Sequence, residues 1–235
     1  MFYELNKLDD IKILPKNEIH IWLVNIHQEN ISINADKLYD VLDRGEKERL
    51  ARYIFEDHKK RFLYSRGILK LLLSNYLDIP AKDVLITYND KGKPSIDKSI
   101  NDVNINFNLS HSRELITFVF TLENAIGVDM EYIDRAKNIM GIAKRFFNQR
   151  EYNYIKRYSG DLQYKTFYIL WTFKEALLKC YGSGLGSDFK DISIPVLEQK
   201  NHDEEKQGVC KYFGKLWNYI VFEIRDEYII NLVYG

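Results

Sequence analysis

Asp129 and Glu131 stand one residue apart in the apolar run Gly127-Val128-Asp129-Met130-Glu131. In a strand, residues i and i+2 point to the same face, so the two carboxylates project together, roughly 6–7 Å apart. Downstream, Trp171-Thr172-Phe173-Lys174-Glu175-Ala176-Leu177-Leu178-Lys179 reads as a helix, with Glu175 and Lys179 four residues apart and on one face. Three carboxylates converging with a lysine suit a hard cation, foremost Mg²⁺, that holds a phosphate-bearing ligand. Each piece alone also describes a solvated strand face or an exposed i,i+4 ion pair. Two acidic sites on elements expected to pack together favour the chemical reading.

A third signature, Phe107-Asn108-Leu109-Ser110-His111-Ser112, ends a strand in two hydroxyls, an imidazole and turn-exposed N–H groups, the ingredients of an anion site. A serine nucleophile with a histidine base is the other chemical reading, although adjacency in sequence is not triad geometry. His20, His27, His58 and His202 show no ligand spacing. The loop Gly182-Ser183-Gly184-Leu185-Gly186 lacks the Gly-Lys-Ser/Thr ending of a P-loop and reads as a helix stop.

The 235 residues are 46% hydrophobic and 29% charged, the balance of an ordinary soluble domain or pair of small domains. Lys+Arg and Asp+Glu both number 34, so no net charge advertises nucleic acid or an acidic membrane as a partner. The basic triplet Lys59-Lys60-Arg61 remains a local phosphate candidate. Cys180 and Cys210 form no CxxC pair and read as buried, reduced thiols. No charged leader with an apolar run opens the chain and no apolar stretch of about 18 residues occurs, which predicts a cytoplasmic protein without a membrane span.

The elements that must position these groups follow one plan twice. The first half reads as a strand at Glu18–Ile26, amphipathic helices near 35–53 and 57–76, and strands at 84–88, 105–109 and 115–121. The segment Asn89-Asp90-Lys91-Gly92-Lys93-Pro94 is a turn. From Ala125 the order repeats: a strand at 125–132, helices near 139–147, 150–158 and 162–181, then strands at 191–196, 219–224 and 228–233. Lys60-Arg61-Phe62 and Lys165-Thr166-Phe167 echo each other in the two long helices. The expected fold is α+β, a pseudo-dimer of two similar halves, 1–122 and 123–235, with the site in the cleft between them.

Taken in order, Gly92-Lys93-Pro94, the Phe107–Ser112 run, Gly127–Glu131, Ala143-Lys144-Arg145-Phe146-Phe147, the Trp171–Lys179 helix and Gly184-Leu185 resemble the long, surfactin-synthetase-activator (Sfp-type) branch of the phosphopantetheinyl transferase superfamily. The likeness runs from roughly Glu46 to Leu185, with order and spacing kept. It implies a pseudo-dimeric α+β enzyme that needs Mg²⁺. Such an enzyme transfers the phosphopantetheine arm of coenzyme A to a serine of an apo acyl-, peptidyl- or polyketide-carrier protein and releases adenosine 3′,5′-bisphosphate. By position it implies Asp129, Glu131 and Glu175 as metal ligands and Lys179 as a contact to the pyrophosphate. Arg61, Lys93, Ser110 and His111 are implied as further contacts to coenzyme A, and Lys47 and Arg49 are candidates for its 3′-phosphate. Either Glu175 or a metal-bound water would take the serine proton. The implied protein is a monomer that binds neither nucleic acid nor membrane. A Mg²⁺-dependent nuclease and a non-catalytic carrier- or nucleotide-binding module are the competing classes; the balanced charge counts against the nuclease.

Overall fold

Alternation of β-branched and aromatic residues starts each half with a seven-residue strand, and a 22-residue helix follows each at some distance. The computed structural model describes residues 2–4, 13–27, 34–122, 124–182, 187–192 and 206–235. Its elements are β1 (Phe2–Glu4), β2 (Ile19–Asn25), α1 (Ala35–Asp40), α2 (Arg44–Ala51), α3 (Glu56–Leu77), β3 (Ile86–Tyr88), β4 (Pro94–Ile96), β5 (Ile105–Ser112) and β6 (Leu115–Leu122). They continue with β7 (Ile126–Tyr132), α4 (Ile139–Phe146), α5 (Gln149–Lys156), α6 (Gly160–Tyr181), β8 (Lys206–Tyr212), β9 (Lys215–Ile224) and β10 (Tyr228–Tyr234). The fold is α+β, as the sequence implied. The predicted glycine-rich loop at 183–186 and the predicted strand beyond residue 192 lie outside the described residues.

Contacts divide the chain into two units. The first comprises 1–89, 94–107 and 113–123; the second comprises 90–93, 108–112 and 124–235. The short segments 90–93 and 108–112 therefore group with the later part of the chain.

In the first unit the sheet order is β1-β2-β6-β5. Strand β2 pairs antiparallel with β6, from Ile19↔Thr121 to Asn25↔Leu115, and parallel with β1. The predicted helix over 35–53 is two short helices, because Asp43 starts α2 as an N-cap: its side chain accepts from the Glu46 N–H while the Glu46 side chain accepts from the Asp43 N–H. Helix α3 buries Phe62, Ile68, Leu69, Leu72 and Leu73. A Cβ on Gly67 would sit 2.7 Å from the Leu38 Cβ, so the approach of α1 to α3 needs a glycine there. A strand the sequence did not predict, β4, pairs with β3, and Thr87 Oγ1 lies 2.9 Å from Ser95 Oγ.

In the second unit the order is β7-β10-β9-β8. Strand β7 pairs antiparallel with β10, from Ile126↔Tyr234 to Tyr132↔Tyr228, and β10 with β9. Helix α6 covers β7 and β10 and buries Phe167, Leu170, Phe173, Ala176 and Leu177 in the core. A Cβ on Gly127 would fall 2.2 Å from the Ala176 carbonyl oxygen and 2.3 Å from the Cys180 nitrogen. Only glycine lets α6 lie this close to β7, and that closeness also shows which face of β7 looks at the helix. Glycine and residues 129 and 131 share it.

Candidate active site

The face of β7 that Gly127 presents to α6 carries Asp129 and Glu131, and α6 answers with Glu175 and Lys179. Alternation on the strand and i,i+4 spacing on the helix produce this meeting. The Lys179 ammonium lies 2.7 Å from Asp129 Oδ1, 3.1 Å from Ser110 Oγ and 3.1 Å from the Val128 carbonyl oxygen. Ser110 Oγ donates to the same Asp129 oxygen at 2.9 Å. The other oxygen, Asp129 Oδ2, is buried and has no hydrogen-bond partner among the described residues.

Glu131 accepts from Ser112 Oγ at 3.1 Å through Oε2. Burial and then the neighbouring Asp129 charge raise its pKa, against the Ser112 hydrogen bond. Glu175 is only 7% exposed. Burial first, then the Asp129 charge, pushes its pKa to about 7, with Lys179 opposing and Glu131 adding to the rise. Three carboxylates thus feel one another across two elements, with one ammonium among them. Among the described residues no three His, Cys, Asp or Glu side chains close into a ready-made metal cage. Mutual repulsion between carboxylates, partly relieved by Lys179, is the physical reason for the open arrangement.

Strand β5 supplies the polar lining. Asn108, Ser110 and Ser112 alternate on one face, all buried. Asn108 Oδ1 accepts the Val128 N–H at 3.0 Å and Ser112 Oγ accepts the Tyr132 N–H at 2.9 Å. His111 falls on the opposite face of the strand and is exposed.

Asp129, Glu131, Glu175, Lys179 and Ser110 are therefore gathered in one place within the second unit. Ser110, predicted as a coenzyme A contact, spends its hydroxyl proton on Asp129. Lys93, also predicted to touch coenzyme A, donates to the Cys180 carbonyl at 3.0 Å and the Ile126 carbonyl at 3.3 Å, and burial lowers its pKa. Its ammonium stands at the end of α6, where carbonyls lack helical partners. Arg61 lies on α3 in the first unit, half-buried, and its buried Nε has no hydrogen-bond partner among the described residues. On the same unit Arg49 lies over the Phe62 ring and Lys47 over the Tyr39 ring.

Residues that sequence reasoning did not assign are Asn108, Ser112 and the buried pair Lys174–Glu151. The i, i+2, i+4 run of Asn, Ser and Ser in an otherwise apolar strand was the available signal for the first two. Lys174 is wholly buried; its ammonium lies 2.6 Å from Glu151 Oε2 and 2.6 Å from the Phe189 carbonyl, over the rings of Phe147 and Phe189. It anchors α5 and the 3-10 turn Ser187–Lys190 to the helix that carries Glu175.

Comparison with known proteins adds an independent line. Residues 125–233 match a family model described as the 4′-phosphopantetheinyl transferase superfamily, and residues 31–121 match one described as 4′-phosphopantetheinyl transferase, N-terminal. The chain is similar to the 4′-phosphopantetheinyl transferase HetI of Nostoc sp., 33% identical over 183 residues that span 78% of this chain and 76% of that protein. It is 28% identical to the 4′-phosphopantetheinyl transferase gsp of Aneurinibacillus migulanus over 92% of this chain and 91% of that protein. It is also 30% identical to the L-aminoadipate-semialdehyde dehydrogenase-phosphopantetheinyl transferase of Mus musculus, over 64% of this chain and 52% of that protein.

Proposed function

This chain belongs to the 4′-phosphopantetheinyl transferase superfamily, and on that premise we propose that it moves the phosphopantetheine arm of coenzyme A to a serine hydroxyl of an apo carrier protein. The serine oxygen attacks the phosphorus that bears the arm, the bond to the bridging oxygen breaks, and adenosine 3′,5′-bisphosphate leaves. The observation that carries the reading is the meeting of Asp129, Glu131, Glu175 and Lys179 across β7 and α6.

The donor set fits a hard divalent cation. It is all oxygen, it is mutually repulsive, and Asp129 Oδ2 is a buried acceptor without a donor. In this reading Asp129, Glu131 and Glu175 hold Mg²⁺, which when bound neutralises and orients the pyrophosphate. Lys179 exchanges part of its contact with Asp129 for the leaving phosphate, where a point cation stabilises developing charge. Glu175 is assigned to accept the serine proton; its pKa of about 7 belongs to the metal-free protein, and a bound cation would lower it. Arg61 and His111 are assigned to the nucleotide end of coenzyme A.

Among the described residues no helix is long and apolar enough to cross a membrane. In the proposed reading the enzyme acts as a cytoplasmic monomer whose macromolecular partner is the carrier protein. Incubation with coenzyme A, Mg²⁺ and a panel of apo acyl-, peptidyl- and polyketide-carriers tests the activity by intact mass. A carrier gains the mass of the arm, and chelation with EDTA stops the gain. No gain on any carrier that a reference transferase loads would refute the reading.

A further inference from the structure

Among the described residues strand β7 is an edge strand, since the order β7-β10-β9-β8 leaves one of its sides without a strand partner. Exposed strand edges seek hydrogen bonds, and here side chains provide them. The Val128 and Tyr132 N–H groups donate to Asn108 Oδ1 and Ser112 Oγ; the Ile126 and Val128 carbonyls accept from Lys93 and Lys179. The β5 side chains meet β7 at a constant offset, so they set where the carboxylates stand along the strand. Ser110 reaches Asp129 and Ser112 reaches Glu131.

The two carboxylates are not held equally. Asp129 Oδ1 receives both Ser110 and Lys179. Glu131 receives Ser112 as its hydrogen-bond donor among the described residues. Glutamate also has one more torsion to fix, so holding it in one orientation costs more entropy. The Ser112 hydroxyl has one proton and two lone pairs. The Tyr132 N–H occupies a lone pair at 2.9 Å, which turns the proton toward Glu131 Oε2 at 3.1 Å. The hydroxyl thus connects the β7 backbone at Tyr132 to the carboxylate of the preceding residue, Glu131.

We propose that Ser112 is a positioning residue: by linking the Tyr132 N–H to Glu131 Oε2, it holds Glu131 in the orientation in which that carboxylate serves the cation site. This rests on the transferase reading and on Glu131 as a ligand. Groups that orient a metal ligand typically change metal affinity by about 10- to 100-fold when removed.

The test is Mn²⁺ binding, followed by electron paramagnetic resonance with coenzyme A present and no carrier, so that turnover plays no part. Ser112→Ala weakens Mn²⁺ affinity about tenfold, and Ser112→Thr, which keeps the hydroxyl, stays within about twofold of wild type. In a Glu131→Ala background, Ser112→Ala causes no further loss, because a group acting through Glu131 has nothing left to orient. Should Ser112→Ala not fold, Ser112→Cys, with a weak donor of similar size, gives an intermediate loss. Unchanged Mn²⁺ affinity in Ser112→Ala, or the same loss with Glu131 already replaced, overturns the role of Ser112 while leaving the cation site intact. Wild-type affinity in both Asp129→Ala and Glu131→Gln overturns the cation reading itself, and Ser112 with it.

Discussion

The two units repeat one design, and one of them carries the acid cluster. In each, a seven-residue strand pairs antiparallel with the second strand of a hairpin, and a 22-residue helix follows; α6 lies directly on β7, whereas α3 reaches β2 through Tyr76. In each, an eight-residue helix begins with a capping box, and the glutamate of that box meets a buried lysine of the long helix: Glu46 with Lys70 at 3.0 Å, Glu151 with Lys174 at 2.6 Å. The Phe of the echo, Phe62 or Phe167, is buried in both. The strand faces differ. Where β7 shows Gly127, Asp129 and Glu131 to α6, β2 shows His20, Trp22 and Val24 to α3. There the Tyr76 hydroxyl lies 2.8 Å from both Trp22 Nε1 and His20 Nδ1. At the helix positions of Glu175 and Lys179, α3 has Leu71 and Asn75. One scaffold therefore supports either an aromatic, hydrogen-bonded filling or a cluster of charges, and the scaffold interactions do not decide which.

The sharpest way to break this comparison is to exchange roles at the fourth residue of each strand. Asp129→Asn lowers turnover by about a thousandfold, the scale of losing a charge that acts on the transition state, with melting temperature unchanged or raised. Trp22→Ala costs about 3–5 kcal/mol of stability but leaves transfer per folded molecule near wild type. Carrier loading by mass and urea unfolding read the two effects; equal activity losses in both variants would erase the distinction.

Next in size are the buried lysines. Lys174→Met strands Glu151, which is 1% exposed, and costs about 3–5 kcal/mol. Lys70→Met costs less, because Asp43, 52% exposed, lets solvent reach the acids it leaves behind. Urea midpoints compare them, and a larger loss for Lys70→Met would contradict the burial difference.

A third contrast is in pH. Glu175 is raised from its ordinary 4.5 to about 7, so between those values the folded state binds more protons than the unfolded state. Its contribution is favourable below pH 4.5 and is lost as pH rises through about 7, by at most about 3 kcal/mol. Asp129 and Glu131 reinforce the loss and Lys179 opposes it. In EDTA, wild type should lose melting temperature between pH 5 and 8 relative to Glu175→Leu, which takes the Leu71 side chain of the other unit. Parallel profiles for the two proteins would dismiss the shift.

The smallest effects are expected where the units match on the surface. Arg44 meets Glu48 at the start of α2, and Gln149 meets Asn153 at the start of α5. Arg44→Ala and Gln149→Ala should each cost under about 0.5 kcal/mol, by thermal denaturation.

Much of this was written locally. Hydrophobic periodicity marked both long helices and the strand at 126–132, and the carboxylate and lysine spacings predicted the shared faces of β7 and α6. Those features depend on alternation and helical pitch, which neighbouring residues set. The three-residue strands β1 and β4 escaped because so few residues have too few alternations to stand out, and β8, though seven residues long, is Lys-Gln-Gly-Val-Cys-Lys-Tyr, with a glycine and no β-branched run to mark it. The capping box that divides 35–53 into two helices was legible in Asp43 and Glu46 but lay within a continuous amphipathic pattern.

What sequence alone determined about this protein is its residue chemistry and the local geometry that presents it: Asp129 beside Glu131 on a strand face, Glu175 beside Lys179 on a helix face, and the family to which their order belongs. Tertiary structure decided the rest. It laid α6 against β7 through Gly127, aimed Ser110 and Ser112 at the carboxylates, and drew the Lys93 ammonium onto the Ile126 and Cys180 carbonyls. Those pairings join residues far apart in the chain, and their strengths depend on burial and distance, which no local pattern encodes.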